Sequence, residues 1–137
     1  MNKDIPFEPV EGVYLAITKR IDNIEKSEED FWDAHIINDN PYPIENVLIT
    51  SQGYGKAEGK ELETTTFRHM IERIESKSTA HIEAVDPNTF KITNQFWVSY
   101  YRGRQIFDKK FIFMPGSFLT ENVTYIPQLD KEGVLHK

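Results

Sequence analysis

Apolar and polar positions alternate through residues 94–114 in the manner of a β-hairpin. Phe96, Val98, Tyr100, Phe107, Phe111 and Phe113 share one face, interrupted only by Lys109. Trp97, Ser99, Tyr101, Ile106, Asp108, Lys110 and Ile112 share the other. Successive side chains point to opposite sides of a strand, so one greasy face marks a half-buried antiparallel pair. A four-residue loop, Arg102–Gln105, sets Phe96 opposite Phe111 and Tyr100 opposite Phe107. A two-residue loop at Arg102-Gly103 sets Phe96 opposite Lys109 instead. Aromatic cross-strand pairs contribute roughly 0.2–1 kcal/mol each, which favours the first register. An odd loop would carry Asp108 and Lys110 onto the core face and is ruled out.

Shorter runs elsewhere follow the same logic. In Val13–Ile21, the residues Val13, Leu15, Ile17 and Ile21 fall on one face, and polar Asp22–Asp30 reads as a loop with one helical turn through Ile24 as an option. Phe31–Asp39 predicts a strand with Trp32, Ala34 and Ile36 inward and Asp33 and His35 outward. Asn38-Asp39-Asn40-Pro41-Tyr42-Pro43 is a dense turn signal, since Asn and Asp tolerate turn geometry and each proline extends its predecessor. Ile44–Ser51 predicts a central strand with both faces at least partly covered, and Gln52–Lys60, with three glycines, a loop or hairpin tip. Leu62–Ile74 is ambiguous: Phe67, Met70, Ile71 and Ile74 have helical spacing, yet Thr64-Thr65-Thr66 is β-branched. The reading adopted is a strand over Leu62–Met70 followed by an irregular turn. Thr79–Val85 predicts a strand, Asp86-Pro87-Asn88 a turn, and Phe90–Thr93 a strand or the entry to the hairpin. The apolar residues of Ser117–Lys137 lack periodicity and are expected to pack across one end, with a partner-binding arm as the alternative.

Turn signals at this spacing predict a single all-β domain over residues 1–137. It would be an immunoglobulin-like antiparallel β-sandwich of about seven strands, with a core over 10–114 and a C-terminal extension over 115–137. A chain of 137 residues can bury a core without a disulfide or metal staple. It contains no cysteine, which excludes a disulfide scaffold, a thiolate metal site and a thiol nucleophile. The start lacks an apolar core of signal-peptide length, and no run approaches the ~18 apolar residues of a membrane span, so a cytoplasmic location is expected. Twenty-two acidic against 16 basic residues leave a net charge of −6. Nucleic acid and anionic membranes, which reward clustered Lys and Arg, are thus unfavoured partners.

Candidate chemistry is sparse. Gly53-Tyr54-Gly55-Lys56-Ala57-Glu58-Gly59 resembles a phosphate loop. Its third glycine is one residue late for a dinucleotide fingerprint, though, and no Gly-Lys-Ser/Thr ending follows, so a plain hairpin turn is the better reading. His81-Ile82-Glu83 would set two metal donors on one strand face, with His69 or His35 joining from a neighbour. A zinc site needs three or four convergent ligands, so no metal or other cofactor is expected. Asp108 could pair with His81 or His69, and Ser99 or Ser51 could supply a hydroxyl, but no spacing imposes a triad. Arg102-Gly103-Arg104 beside Tyr100, Tyr101 and Trp97 suggests stacking on nucleic acid, against which stands the ordinary use of charge at a hairpin tip. The face bearing Trp97, Tyr101, Ile106 and Ile112 is a partner surface if it lies outside the sandwich and plain core if a second layer covers it.

Several segments carry a resemblance. They are Val10-Glu11-Gly12-Val13, Asn46–Gly55, Thr64–Met70, Ile82–Pro87, Phe96–Tyr101, Asp108–Phe113 and Gly133-Val134-Leu135-His136. Together they make the chain similar, over nearly its whole length, to a family of small uncharacterised bacterial cytoplasmic proteins. The resemblance implies no established activity. Some members carry a phenylalanyl-tRNA synthetase subunit label. Phe67-Arg68-His69-Met70 begins like the second class II synthetase motif, but the following glutamate and the third motif are absent. The reading that results is a non-catalytic module binding a protein partner or itself through a strand edge or the Trp97/Tyr101 face. Arg102 and Arg104 flank its candidate surface. The alternative is a tRNA- or nucleotide-associated role using Arg68, Arg102 and Arg104. A metal-dependent or hydrolytic enzyme ranks last.

Overall fold

The structure, a computed structural model, describes residues 9–20 and 31–137. Ile21 and the loop expected over Asp22–Asp30 lie outside the described residues. Among the described residues ten strands form two antiparallel sheets: β1 (Val13–Lys19), β2 (Trp32–Asn38), β3 (Ile44–Ala57), β4 (Lys60–Glu63), β5 (Phe67–Ile74), β6 (Ser78–Val85), β7 (Thr93–Arg102), β8 (Gln105–Phe113), β9 (Thr124–Ile126) and β10 (Lys131–His136). One sheet has the order β6-β2-β1-β10-β9. The other has β4-β3-β7-β8, with β5 pairing β3 ahead of β4. The neighbours β1-β2-β6 in one layer and β3-β7-β8 in the other match the A-B-E and C-F-G strands of an immunoglobulin-type sandwich.

The core lies between the layers because alternation sends one face of each central strand inward. Val13, Leu15 and Ile17 of β1 meet Ala34 and Ile36 of β2, Val47 and Ile49 of β3, and Phe96, Val98, Tyr100, Phe111 and Phe113 of the hairpin. The hairpin register is the one that the aromatic pairs favour, with Phe96 opposite Phe111 and Tyr100 opposite Phe107. Its loop is tighter than four residues. Arg102 still pairs with Gln105, leaving Gly103-Arg104 as the turn, and Gly103 takes the positive φ of 63° that a two-residue loop asks of its first central residue. Lys109 stands opposite buried Val98 on the inner side of β8, its ammonium 4.9 Å from the centroid of Phe111.

Some expectations are sharpened and others corrected. Strand β3 runs on to Ala57 and turns at Glu58-Gly59 into β4, so of the two readings of the glycine-rich stretch, loop or hairpin tip, the hairpin is the one found. Residues 67–74 form a full strand, β5, with no helix. The helix-like spacing arises because Asn46, at φ 50°, sits at a bulge where the β3–β7 register shifts between Glu45 and Leu48. Below that bulge Ile44 and Ile74 face inward as a pair, and above it Val47 and Ile71 do. Phe90 belongs to a 3₁₀ turn, Pro87–Lys91, so of the two readings of Phe90–Thr93, strand or hairpin entry, the entry is the one found. The Phe90 ring stacks on Phe118 at 3.7 Å and meets Trp32 edge-on at 5.1 Å.

A further correction concerns the C-terminal segment. It does not lie across one end: β10 is inserted between β1 and β9, pairing Leu15 with His136 and Thr18 with Gly133. Its signal is faint because β10 spends Gly133 on close approach and is only six residues long. Among the described residues, no helix is long and apolar enough to cross a membrane.

Candidate functional site

The outer face of the β5-β3-β7-β8 sheet can be laid out row by row from its pairings. One row runs Arg68–Thr50–Trp97–Lys110 and the next Met70–Leu48–Ser99–Asp108. Gln52–Gln95–Ile112 flanks the first, and Tyr101–Ile106 lies beyond the second. Leu48 is 47% exposed, Met70 63% and Trp97 44%, and Tyr101 and Ile112 are also exposed. Trp97, Tyr101, Ile106 and Ile112 therefore do share one outward face, which no second layer of described residues covers.

Leu48 and Met70 join that face, so the outer side of β3, expected to be at least partly covered, is covered only in part. The signal was present: Leu48 shares parity with Asn46, Thr50 and Gln52, a polar series that marks solvent. Arg102 and Arg104 do not join it. Arg102 turns to the sandwich end, 3.4 Å from the centroid of Tyr42, and Arg104 occupies the exposed hairpin tip.

Trp97 is held from two sides. Its indole N–H donates to the Asp108 carboxylate, and the Lys110 ammonium lies 4.8 Å from its ring centroid. Beside it is a hollow of about 260 Å³ formed with Leu48, Thr50, Ser99, Ile106 and Asp108. A fixed aromatic next to a shallow apolar depression is the arrangement typical of an interface anchor, because little side-chain freedom remains to be lost on contact.

The titratable residues gather elsewhere. At the side where β5 and β6 part company, Ser51 Oγ donates to the Glu83 carboxylate at 2.9 Å and His69 Nε2 lies 2.6 Å from Glu83 Oε1. A cleft of about 260 Å³, walled by Phe31, Phe67 and Phe96, opens beside Ser51 and Glu83. The three residue types of a hydrolytic triad meet here in the wrong order. Nucleophilic catalysis places imidazole between hydroxyl and carboxylate, whereas here the carboxylate stands between the other two and accepts the serine proton. The cluster instead ties β3 and β5 of one sheet to β6 of the other. Asp108 pairs with neither histidine, and Ser99 lines the outer hollow.

His81 and Glu83 do not share a face. The β2–β6 register skips Ile82 between Ala34–Glu83 and His35–His81, and such a bulge turns the flanking residues apart. His81 Nε2 consequently reaches Asp33 Oδ1 at 2.9 Å on the outer side. No group of three donors able to hold a metal ion occurs among the described residues.

Asp33 also accepts two hydrogen bonds from Arg20, at 2.9 and 2.8 Å. Those bonds, opposed by burial and reinforced by His81, hold its carboxyl down at about 2. His35 faces away from the main core as the pattern implied, yet it is only 9% exposed. That face carries its own small cluster, Ala16, Ile37 and Ile126 with Tyr14, Leu129 and Leu135. Among the described residues the His35 Nε2 has no hydrogen-bond partner. Burial, followed by the charge of His81, lowers His35 to about 4 from 6.5.

Above pH 6.5 His35 is neutral whether folded or unfolded. Below it the unfolded chain takes the proton first, so stability falls from pH 6.5 down to about 4, by up to about 3 kcal/mol. Asp33, depressed from 3.8, adds a second loss as pH falls from near 4 towards 2. Urea midpoints at pH 7.5, 5.5 and 4.5 should drop steadily, and His35→Phe should flatten the decline between 7.5 and 4.5. A wild-type midpoint constant over that range would show that His35 protonates freely in the fold.

Comparison with known proteins gives no further handle: no family model, curated protein or solved structure matches the chain.

Proposed function

We propose that this protein is a non-catalytic interaction module that recognises a protein surface through the outer face of the β5-β3-β7-β8 sheet. One observation carries the reading. Leu48, Met70, Trp97, Tyr101 and Ile112 form a neighbouring set of large apolar side chains, all more than a third exposed, on regular strands rather than on loops. Contiguous apolar surface of this kind marks protein contact sites more often than the scattered exposure of ordinary surfaces. Enrichment in Trp, Tyr and Met is the composition of interface cores. The competing nucleic-acid reading loses support from placement: Arg68 lies on this face, Arg102 over Tyr42 and Arg104 at the tip, so the three guanidinium groups do not converge.

A photo-crosslinking amino acid at Thr50, inside the patch, is the direct test in cells that naturally make the protein. A discrete protein adduct is expected at Thr50 and none with the same probe at Thr79 on the opposite outer face. Adding Leu48→Lys should abolish the adduct while changing stability by less than about 0.5 kcal/mol, as a surface substitution does. Absence of any adduct at Thr50 rejects the reading.

A further inference from the structure

The rows of this face are complementary to themselves, and we infer that the partner is a second copy of the same chain, docked face to face about a two-fold axis. The inference rests on the reading above that this face is the contact surface, and it names the occupant. A symmetric dimer contact is isologous, so each residue must tolerate what the axis places opposite it. Let the axis lie in the plane of the face, across the strands, between the Trp97 row and the Ser99 row. Lys110 then meets the partner's Asp108, and Asp108 meets the partner's Lys110. Trp97, the largest side chain, lies over the partner's Ser99, and Leu48 lies over the partner's Thr50. These small residues help to line the 260 Å³ hollow. Ile112 meets the partner's Ile106.

Charge decides against the other simple axes. An axis along the strands between β3 and β7 exchanges β5 with β8 and sets Arg68 against the partner's Lys110. An axis through the Met70–Asp108 row sets Asp108 against itself. Like charges brought together at a contact disfavour it strongly. Only the first arrangement pairs opposite charges, packs large on small and joins apolar ends. It also gives two sheets with aligned strands, an ordinary way for sheet faces to pack.

The test uses the purified full-length protein and two charge variants. Light scattering after size exclusion over rising concentration should give twice the mass of one chain for the wild type. Lys110→Asp leaves two neighbouring carboxylates, the introduced one and that of Asp108, facing the same two on the other copy. Asp108→Lys does the corresponding thing with ammonium groups. Each variant alone should dimerise at least about tenfold more weakly. Mixing the two restores opposite charges across the axis, so the mixture should form a dimer that neither variant forms alone. That recovery also shows both variants to be folded, and far-UV circular dichroism checks each one separately. A wild type that stays monomeric at high concentration overturns the inference. So does a dimer indifferent to both substitutions. If the Thr50 adduct then contains a different protein, the interaction reading stands and only the self-pairing falls; if there is no adduct, both fall.

Discussion

Gly133→Ala should cost about 3 kcal/mol or more, enough to lower the urea midpoint severely. A Cβ at this position would lie 2.3 Å from the Ile17 carbonyl oxygen and 2.7 Å from the Thr18 Cα. Both are backbone atoms of β1, which no rotamer change can move aside. The strain must therefore push β10 away from β1, and with it the inner packing of Val134. Overpacking of a well-filled site costs roughly 1–3 kcal/mol, and here the loss of strand pairing adds to it. Gly116→Ala is the control: nothing lies within 4 Å of its added carbon, so a midpoint within experimental error of wild type is expected. Equal midpoints for both substitutions would mean that β10 does not hold this close approach in solution.

The second large loss is expected at Asn38→Ala. Asn38 is fully buried, and its amide nitrogen is shared among the carbonyls of Tyr42, Ile74 and Glu75 at 2.9, 3.2 and 3.0 Å. Its Oδ1 accepts from the Asn40 backbone N–H at 3.2 Å and from Asn40 Nδ2 at 3.0 Å. Asn40 in turn donates to the Glu11 carbonyl at 3.0 Å. The chain changes sheet twice here, from β2 to β3 and from β5 to β6, and one amide holds the two corners together. Removing it strands several backbone groups away from water at about 1–3 kcal/mol for each left unpaired. A fall of roughly 3 kcal/mol in stability is expected by thermal or urea unfolding, on the same scale of unpaired groups. Asn38→Asp, which keeps the acceptor but loses the donors and buries a charge, should do no better. A loss under about 1 kcal/mol for Asn38→Ala would show that water replaces the side chain.

Both positions bear on what could be read from the residues alone. The hairpin was legible to the pair, because a one-sided aromatic set on both strands, broken only by Lys109, favours a single register. Val13, Leu15 and Ile17 were legible for the same reason. Periodicity failed wherever the backbone breaks its own period. The bulge at Asn46 gave residues 67–74 a helical look, and the bulge at Ile82 separated His81 from Glu83. β10 was missed because a strand that needs glycine for proximity carries few apolar residues. On the candidate surface, parity grouped Trp97, Tyr101, Ile106 and Ile112. Which side of that group meets solvent depends on the second layer, and no local pattern encodes that.

Lys109 has a consequence for how far association can go. Among the described residues, strand β8 is the last of its sheet and offers nine residues of backbone along its outer edge. A newcomer annealing there would crowd the lysine stem that lies inward over Phe111 and would hinder its ammonium from reaching water, a common safeguard against open-ended fibril growth. Lateral polymerisation is thereby discouraged along this edge. Contacts are left to the broad sides, where a pairing that satisfies itself stops at a finite number of chains.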